Sequence, residues 1–412
     1  MKMIRKLLCL LLVCLLLCPA ALAENALTPT EGIVIPVIDN LKKFDIPENE
    51  AMAFVREMKT GWVLGNTFDA FYGETKSHKG GLEMEKSWTG VYTSREAIAA
   101  VKTAGFNAVR IPVSWHNHVD ENDQIDPAWL ARVREVTDWV LAEGMFAIVN
   151  VHHDNYPDFF YPDSAHYERS AAYLSSVWSQ MAECFADCDD HLILESMNEP
   201  RLTGTAYEWS WQKDQPDCMD AADCINRLNQ LFVDTVRATG GNNATRYLAV
   251  PAYDASPWYA CDEAFQLPQD AADNRIIVAA HAYTPYNFAL NLNSDDTTFG
   301  LDENAKKAEI SQFMNGLYER FVSKGIPVLM DEYGALEKKG NLQDRVNFAA
   351  YYIAAASARN LTCFWWDNHL FRGNGERFGL LDRKNAVWTY PDIVLAIQAN
   401  CLFNRDNGSD GQ

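Results

Sequence analysis

Short apolar runs alternate with longer amphipathic stretches along most of this chain. The short runs have the length of buried strands, and in the longer stretches apolar residues recur every three or four positions, as on one face of a helix. Eight runs predict strands, at residues 61–65, 108–112, 146–151, 192–196, 247–251, 276–280, 327–330 and 363–366. Seven stretches predict helices, at residues 94–104, 127–143, 171–186, 221–238, 304–324, 342–359 and 391–402. After the fifth strand we expect only a short turn, around residues 257–261.

Polar and glycine residues mark the ends of several predicted helices. Thr93 and Glu96 have the spacing of a capping box, in which each side chain accepts a hydrogen bond from the other residue's backbone N–H. Four glycines follow a predicted helix and precede a predicted strand, where glycine can adopt the left-handed conformation of a helix C-cap. These glycines are Gly105, Gly144, Gly240 and Gly325.

Alternation of strands and helices predicts a parallel sheet that is covered by helices. Because eight strand–helix units follow one another, we expect the sheet to close into a barrel. The predicted fold class is α/β, a (β/α)8 TIM barrel that forms a single catalytic domain over residues 51–403. Residues 24–50 predict an N-terminal arm, and residues 404–412 predict a flexible tail.

The first 23 residues have the pattern of a secretory signal peptide. Lys2, Arg5 and Lys6 precede the apolar run at residues 7–18, and a small-x-small cleavage motif follows at residues 21–23. The run is too short to span a bilayer comfortably. We therefore expect cleavage after residue 23, a secreted protein and no membrane association after cleavage. A retained membrane anchor is the alternative.

The net charge of the chain limits the kinds of molecule that it is expected to bind. The chain has a formal net charge of −21, and removal of the signal peptide makes it more acidic still. Such a chain repels nucleic acid and anionic membranes, whereas a neutral polysaccharide is compatible with it. Hydrophobic residues make up 48% of the chain, which is enough for a large core.

Seven cysteines remain after the signal peptide: Cys184, Cys188, Cys218, Cys224, Cys261, Cys363 and Cys401. Export permits disulfide bonds, and the pairs Cys184–Cys188 and Cys218–Cys224 are close enough in sequence to be candidates. The odd number leaves at least one free thiol. No C-x-x-C pair has the spacing of zinc ligands, so we predict no structural metal.

Polar residues follow the predicted strands at their C-terminal ends. In a barrel all of these ends meet at one face, where barrel enzymes have their active sites. The residues concerned are Asn66, Arg110, His152, His153, Asp154, Asn198, Glu199, His281, Tyr283, Asp331, Glu332, Trp366, Asp367 and Asn368.

Glu199 and Glu332 are the candidate catalytic residues. Hydrolysis of a glycosidic bond needs one carboxylic acid to protonate the leaving oxygen and a second, ionised carboxylate to attack the anomeric carbon or activate water. We predict that Glu199 is the acid/base and Glu332 the nucleophile. Glu195 and Asp331 compete for these roles, but the two-residue period of a strand turns them to a different face from their neighbours, so we expect them to be structural.

Other strand-end residues are predicted to support the reaction. Arg110 is a cation in an apolar strand and almost has to pair with a carboxylate, for which we predict Glu332. Asn198 could bind a sugar 2-hydroxyl group. His281 and Tyr283 lie two residues apart and therefore point to one side, where the tyrosine hydroxyl group would contact Glu332.

The remaining histidines have alternative interpretations. His152 and His153 are predicted to contact substrate. The alternative is that they are ligands of a catalytic metal. The side chains of adjacent strand residues diverge, which argues against that alternative. His116 and His118 either line the cleft or lie in a polar loop. We predict no metal and no cofactor.

Tryptophan side chains supply candidate platforms for the apolar faces of sugar rings. The candidates are Trp88, Trp115, Trp209, Trp211, Trp258, Trp365 and Trp366. Core packing is the alternative for each of them except Trp366, which precedes the polar pair Asp367-Asn368.

Several segments together resemble glycoside hydrolase family 5 of clan A, in particular its cellulase branch called subfamily 4. The resemblance covers about residues 50–400 and rests on motifs at residues 61–70, 85–90, 104–115, 149–154, 195–201, 281–286, 331–334 and 365–368. Three positions depart from the family pattern. Val63 stands where the family often has asparagine, Asp331 where glycine is common, and His369 where glycine is usual.

The resemblance implies a (β/α)8 fold, net retention of configuration, Glu199 as acid/base and Glu332 as nucleophile. It implies supporting roles for Arg110, His152, Asn198, His281, Tyr283 and Trp366. From these residues and the resemblance we expect a monomeric, secreted endo-β-1,4-glucanase that acts on cellulose, xyloglucan or mixed-linkage β-glucan. The alternatives are a mannanase or xylanase on the same fold, a metal-dependent hydrolase, and a catalytically silent glycan-binding protein.

Overall fold

Eight parallel strands form a closed barrel in the computed structural model, which describes residues 27–405. Each strand pairs with the next along the chain, and the eighth pairs with the first. The strands are β1 (Thr60–Leu64), β2 (Ala108–Ile111), β3 (Phe146–Asn150), β4 (Leu192–Glu195), β5 (Leu248–Pro251), β6 (Ile276–His281), β7 (Val328–Tyr333) and β8 (Thr362–Asp367). The predicted (β/α)8 barrel and all eight predicted strands are confirmed.

Helices surround the barrel and connect its strands. They are α1 (Glu50–Glu57), α2 (Arg95–Thr103), α3 (Pro127–Ala142), α4 (Tyr167–Cys184), α5 (Pro216–Ala238), α6 (Pro257–Ala260), α7 (Tyr286–Ala289), α8 (Asn304–Arg320), α9 (Leu342–Ser357) and α10 (Pro391–Asn400). The seven predicted helices are present, and only the one-turn helix α6 follows β5, as expected. Helices α1 and α7 were not predicted.

The predicted capping box at the start of α2 is wrong by one residue. Ser94, not Thr93, is the N-cap, because its side chain accepts a hydrogen bond of 3.2 Å from the Ala97 N–H. Thr93 is held elsewhere, since its own N–H donates to Glu85 Oε1 at 2.7 Å. The four predicted C-cap glycines do have positive φ values, of 96°, 65°, 69° and 79° for Gly105, Gly144, Gly240 and Gly325.

The inside of the barrel is a packed apolar core that opens only at one end. Side chains from all eight strands meet there, among them Val63, Ala108, Ile148, Ile193, Ala249, Ile277, Leu329 and Phe364. Helix α1 closes the N-terminal end, where the Phe54 ring stacks on Tyr247 at 3.8 Å and meets Phe146 edge-on at 5.3 Å. The polar groups of the barrel therefore gather at its C-terminal end.

Residues 27–49, which belong to the predicted arm at residues 24–50, extend along the outside of the barrel. Thr30 donates two hydrogen bonds of 2.7 Å to Asp392, and Ile38 donates one of 2.8 Å to Asn400, both in α10. The proposed signal peptide lies outside the described residues, as does residue 406 onward of the predicted tail. Within residues 27–405, no helix combines the length and the apolar character needed to cross a membrane.

Each of the seven cysteines within residues 27–405 is unpaired, so the suggested disulfide bonds are not formed. Cys218 and Cys224 lie on one helix, α5. Six residues of helix separate two Cα atoms by about 9 Å along the axis, whereas a disulfide needs Cα atoms less than about 7 Å apart. Closeness in sequence was therefore misleading for this pair.

Candidate active site

Glu199 and Glu332 face each other at the C-terminal end of the barrel. Glu199 lies in the loop after β4, and Glu332 lies in β7. One carboxylate oxygen of each residue and one ring nitrogen of His281 lie within 4.8 Å of one another. Both glutamates line a cleft with a volume of about 1050 Å³, so a polymer can reach them from solvent.

Arg110 lies beneath the two glutamates and is fully buried. Its guanidinium group donates to both oxygens of Glu195, at 2.7 Å each, and to Glu332 Oε1 at 2.6 Å. It also donates to Asn198 Oδ1 at 2.7 Å, which fixes the orientation of that amide. The predicted pairing of Arg110 with Glu332 is therefore present. Arg110 is not part of the cleft wall, so its contacts position Glu332 and Asn198 rather than substrate.

Glu195 and Asp331 do not turn away from the site as predicted. Both are fully buried, and Asp331 Oδ2 lies 3.4 Å from Arg110 Nε. The pairing register between β7 and β8 shifts between Met330 and Tyr333, so the regular alternation of side chains breaks down there. Asp331 and its neighbour Glu332 therefore both reach Arg110. Burial, together with the charge of Glu195, raises the pKa of Asp331 to about 8.

His281 is hydrogen-bonded to Glu199. The distance from His281 Nδ1 to Glu199 Oε1 is 2.7 Å. Burial alone would raise the pKa of Glu199 and lower that of His281. The hydrogen bond and the charges of His281 and Arg201 instead lower the pKa of Glu199 to about 2. The carboxylates of Glu332, Asp331 and Glu199 raise the pKa of His281 to about 9, so the pair shares one proton at neutral pH.

Tyr283 donates a hydrogen bond of 2.9 Å to Glu332 Oε2, as predicted from its spacing. Burial and the charge of Glu332 raise the pKa of Tyr283 well above its usual value. The tyrosine thus stays protonated across the neutral range and can donate this bond throughout. With Arg110 on the other oxygen, both oxygens of Glu332 are held, which fixes the carboxylate in one orientation.

His152 and His153 both line the cleft. The His152 ring is parallel to the Trp366 indole, with an interplanar angle of 2° and centroids 5.9 Å apart. Burial lowers the pKa of His152 well below its usual value and that of His153 to about 4, so both rings are neutral. Asp69 approaches both rings within 4.8 Å, as a metal site would require. However, its two carboxylate oxygens already accept the N–H groups of Asn66 and Thr67.

Asn66 and Asn368 also line the cleft, from the loops after β1 and β8. Asn66 has a φ of 57°, a left-handed conformation that asparagine tolerates better than most residues. Asn368 Nδ2 donates to the Glu376 carbonyl at 2.6 Å, and its Oδ1 accepts from the Leu370 N–H at 3.1 Å. Asn368 therefore also holds together the loop that follows β8.

His116 and His118 do not line the cleft and do not lie in an exposed loop. Both are buried. His116 Nδ1 is 2.6 Å from Asp154 Oδ1, and the His118 ring stacks on Trp129 with centroids 3.6 Å apart. These two histidines are parts of the core, which the short polar segment around them did not reveal.

The tryptophans divide into cleft and core residues. The cleft tryptophans are Trp88, Trp209, Trp258 and Trp366. Among the candidates, Trp115, Trp211 and Trp365 are core residues, which is the alternative that the sequence left open for them. Each core indole donates its N–H to a buried carbonyl group, of Asn150, Cys218 and Phe378 respectively. An indole in the core needs a hydrogen-bond partner for its N–H, as an indole in a cleft does. Polar neighbours in the sequence therefore did not separate the two groups.

Several residues of the cleft wall were not predicted. Asp254 and Ser256 come from the loop after β5, Tyr286 from the start of α7, and Glu376 from the loop after β8. Burial and the charges of Glu199 and Glu332 raise the pKa of Glu376. These loops have no hydrophobic period, so the sequence offered no signal for which of their residues face the cleft.

A barrel of this kind, with two carboxylates facing each other across an open cleft, defines a glycoside hydrolase. Residues 70–371 match the family model described as cellulase, glycosyl hydrolase family 5. This match covers most of the chain, and the chain belongs to that family.

Curated and solved relatives agree with the family assignment. The chain is 39% identical to endoglucanase B of Ruminococcus albus over 368 aligned residues. The aligned region covers 89% of this chain and 84% of the relative. It is 50% identical to the family 5 lichenase of Caldicellulosiruptor sp. F32, with a TM-score of 0.87 over 90% of this chain and 100% of that one. It is 39% identical to a GH5-4 broad specificity endoglucanase from Ruminococcus champanellensis, with a TM-score of 0.79 over 86% of this chain and 99% of that one.

Proposed function

We propose that this protein is a secreted endo-β-1,4-glucanase that cleaves internal bonds of β-glucans with retention of anomeric configuration. The observation that carries the proposal is the distance of less than 4.8 Å between carboxylate oxygens of Glu199 and Glu332. Retaining glycosidases have carboxyl groups about 5–5.5 Å apart, whereas inverting enzymes need a wider gap that admits a water molecule.

In the first step, one oxygen of Glu332 attacks the anomeric carbon and the bond to the leaving oxygen breaks. Hydrogen bonds from Arg110 and Tyr283 hold the Glu332 carboxylate in position for this attack. The leaving oxygen takes a proton from Glu199, and a glycosyl-enzyme ester forms. In the second step, Glu199 accepts a proton from water as the water oxygen attacks the anomeric carbon, and Glu332 is released.

The proton for the leaving group is held in the hydrogen bond between His281 and Glu199. In the free enzyme it resides on His281 Nδ1, 2.7 Å from Glu199 Oε1. Its transfer to Glu199 neutralises both groups, and the glutamic acid then protonates the leaving oxygen. His281 in this way allows Glu199 to act as an acid although the pKa of Glu199 is lowered in the free enzyme.

The names of the relatives support a β-glucan as substrate. They include an endoglucanase, a lichenase and a broad specificity endoglucanase. The open cleft and its four tryptophans suit a long, uncharged chain of sugar rings, which pack their apolar faces on indoles. We therefore propose that cellulose, xyloglucan and mixed-linkage β-glucan are the candidates, and that no cofactor takes part.

The decisive experiment measures products. Purified protein is incubated with carboxymethyl-cellulose, lichenan, xyloglucan, mannan and xylan, and product sizes show whether cleavage is internal. Proton NMR during the first minutes on a soluble oligosaccharide shows which anomer is released. Early release of the β-anomer supports retention, whereas the α-anomer would contradict it. Hydrolysis of mannan or xylan alone would overturn the substrate proposal.

Secretion is tested separately. The N-terminal sequence of the protein exported by its host should begin at Glu24, if the signal peptide ends at residue 23. Export without cleavage would indicate a retained anchor instead.

A further inference from the structure

Asp254 lies in the wall of the cleft next to the segment that carries Glu199. It belongs to the loop after β5, and its backbone N–H donates to the Pro200 carbonyl at 2.9 Å. Pro200 directly follows Glu199 in the chain. The Asp254 side chain is part of the cleft lining, so it faces the same space as the proposed acid/base.

The backbone at this point has an unusual conformation. Asp254 has φ 57° and ψ 18°, and the next residue, Ala255, has φ 47°. Two successive non-glycine residues in the left-handed region are costly, and such strain persists mainly at functional sites, where surrounding contacts enforce it. Tyr253 supplies such contacts, because its hydroxyl group accepts from the Leu202 N–H and donates to the Tyr207 carbonyl.

The Asp254 carboxyl group is also poorly satisfied by the protein. Its Oδ1 atom is buried and has no hydrogen-bond partner among residues 27–405. Burial and the charge of Glu199 raise the pKa of Asp254 well above its usual value, which favours the protonated form of the carboxyl group, a form that can donate a hydrogen bond as well as accept one.

We propose that Asp254 is a specificity-determining residue that binds a hydroxyl group of the sugar unit on the leaving-group side of the scissile bond. This inference rests on the proposed function. The leaving-group sugar must lie beside the acid/base, and Asp254 is tied to the segment of Glu199. Trp209, from the loop after β4, and Trp258, from α6, line the same cleft and supply ring faces for that unit. A neutral carboxylic acid can donate to and accept from a sugar hydroxyl without the cost of desolvating a charge.

The test compares two substrates that differ in the leaving group. Cellopentaose places a glucose unit on the leaving side, whereas an aryl β-cellotrioside places only a phenol there. Asp254→Gly removes the carboxyl group and tolerates the positive φ, and Asp254→Asn keeps a hydrogen-bond donor and the same conformation. Glu263→Gln, an exposed site in the neighbouring segment, is the matched control.

We expect Asp254→Gly to lower kcat/KM on cellopentaose roughly tenfold or more, because one or two hydrogen bonds to the substrate are lost. On the aryl substrate, kcat/KM should change by less than about twofold. Asp254→Asn should retain most of the activity on both substrates. Equal losses on both substrates would overturn the inference, because Asp254 would then act through Glu199 or the fold. Unchanged activity on both would overturn it as well. A wild-type chain that cleaves neither substrate overturns the proposed function, and the inference with it.

Discussion

His281 Nδ1 lies 2.7 Å from Glu199 Oε1, and this hydrogen bond links activity to pH. The pKa of His281 is raised to about 9, so the pair holds a proton below that pH and loses it above. Once the proton is lost, Glu199 can no longer protonate the leaving oxygen. We expect kcat/KM to fall about tenfold per pH unit above pH 9, measured on a soluble oligosaccharide with circular dichroism as a check on folding. A decline already complete at pH 7, in folded protein, would contradict this role of the pair.

Substitution of the proposed nucleophile should abolish turnover. Glu332→Gln removes the attacking carboxylate but keeps a side chain of nearly the same shape, so the barrel should remain folded. We expect kcat on β-glucan to fall by a factor on the order of 10⁴ to 10⁶, measured by release of reducing ends. Glu309→Gln, at an exposed position of α8, is the control and should have no effect. A loss of less than tenfold in Glu332→Gln would remove Glu332 from the mechanism.

Arg110 is expected to matter for stability as well as for activity. Arg110→Met leaves Glu195, Asp331 and Glu332 close together without their common cation. We expect the free energy of unfolding to fall by about 3–5 kcal/mol, the usual cost of breaking a buried ion pair, together with most of the activity. Urea denaturation at pH 7 measures the first effect. An unchanged unfolding midpoint would show that the three carboxyl groups do not depend on Arg110.

The hydroxyl group of Tyr283 should affect the rate more than binding. Tyr283→Phe removes the hydrogen bond to Glu332 Oε2 and keeps the ring, which packs against Phe378 at 5.4 Å. Because the bond orients the nucleophile, we expect kcat to fall roughly tenfold with little change in KM. Tyr72→Phe, at an exposed tyrosine that does not line the cleft, is the matched control and should have little effect. A rise in KM with unchanged kcat would assign Tyr283 to substrate binding instead.

Trp365 and Trp366 are neighbours in β8 with different expected effects. Trp366→Ala should raise KM for oligosaccharides because its ring lines the cleft, and it should lower the free energy of unfolding by less than Trp365→Ala because part of its ring is exposed. Trp365→Ala should lower the free energy of unfolding by about 3–5 kcal/mol, since its fully buried ring leaves a large cavity. Thermal unfolding and steady-state kinetics on both variants distinguish the two roles. The reverse pattern would contradict the division into cleft and core tryptophans.

The sequence predicted the barrel well because its strands are buried on both faces and therefore appear as continuous apolar runs. The strand ends were also informative, since a (β/α)8 barrel brings them to one face. The failure at Asp331 has a definite cause. The prediction assumed an even alternation of side chains, but the register of β7 shifts after Met330 and turns Asp331 inward. A shift of this kind leaves no mark in the local sequence.

The unpredicted cleft residues share a different cause. Asp254 and Glu376 lie in loops, where the direction of a side chain depends on backbone angles and contacts with other loops rather than on a repeating pattern. Asp254 faces the cleft because of its φ of 57° and its hydrogen bond to Pro200, a residue more than fifty positions away in the sequence. Only the three-dimensional structure brings these segments together.

The unpaired state of the seven cysteines has a consequence for where this fold can be made. Because no cross-link between sulfur atoms contributes to the described fold, the chain needs no oxidising folding machinery to complete it. A bacterial cytoplasm, with its reducing thiol pool, can therefore serve as a production host for the barrel.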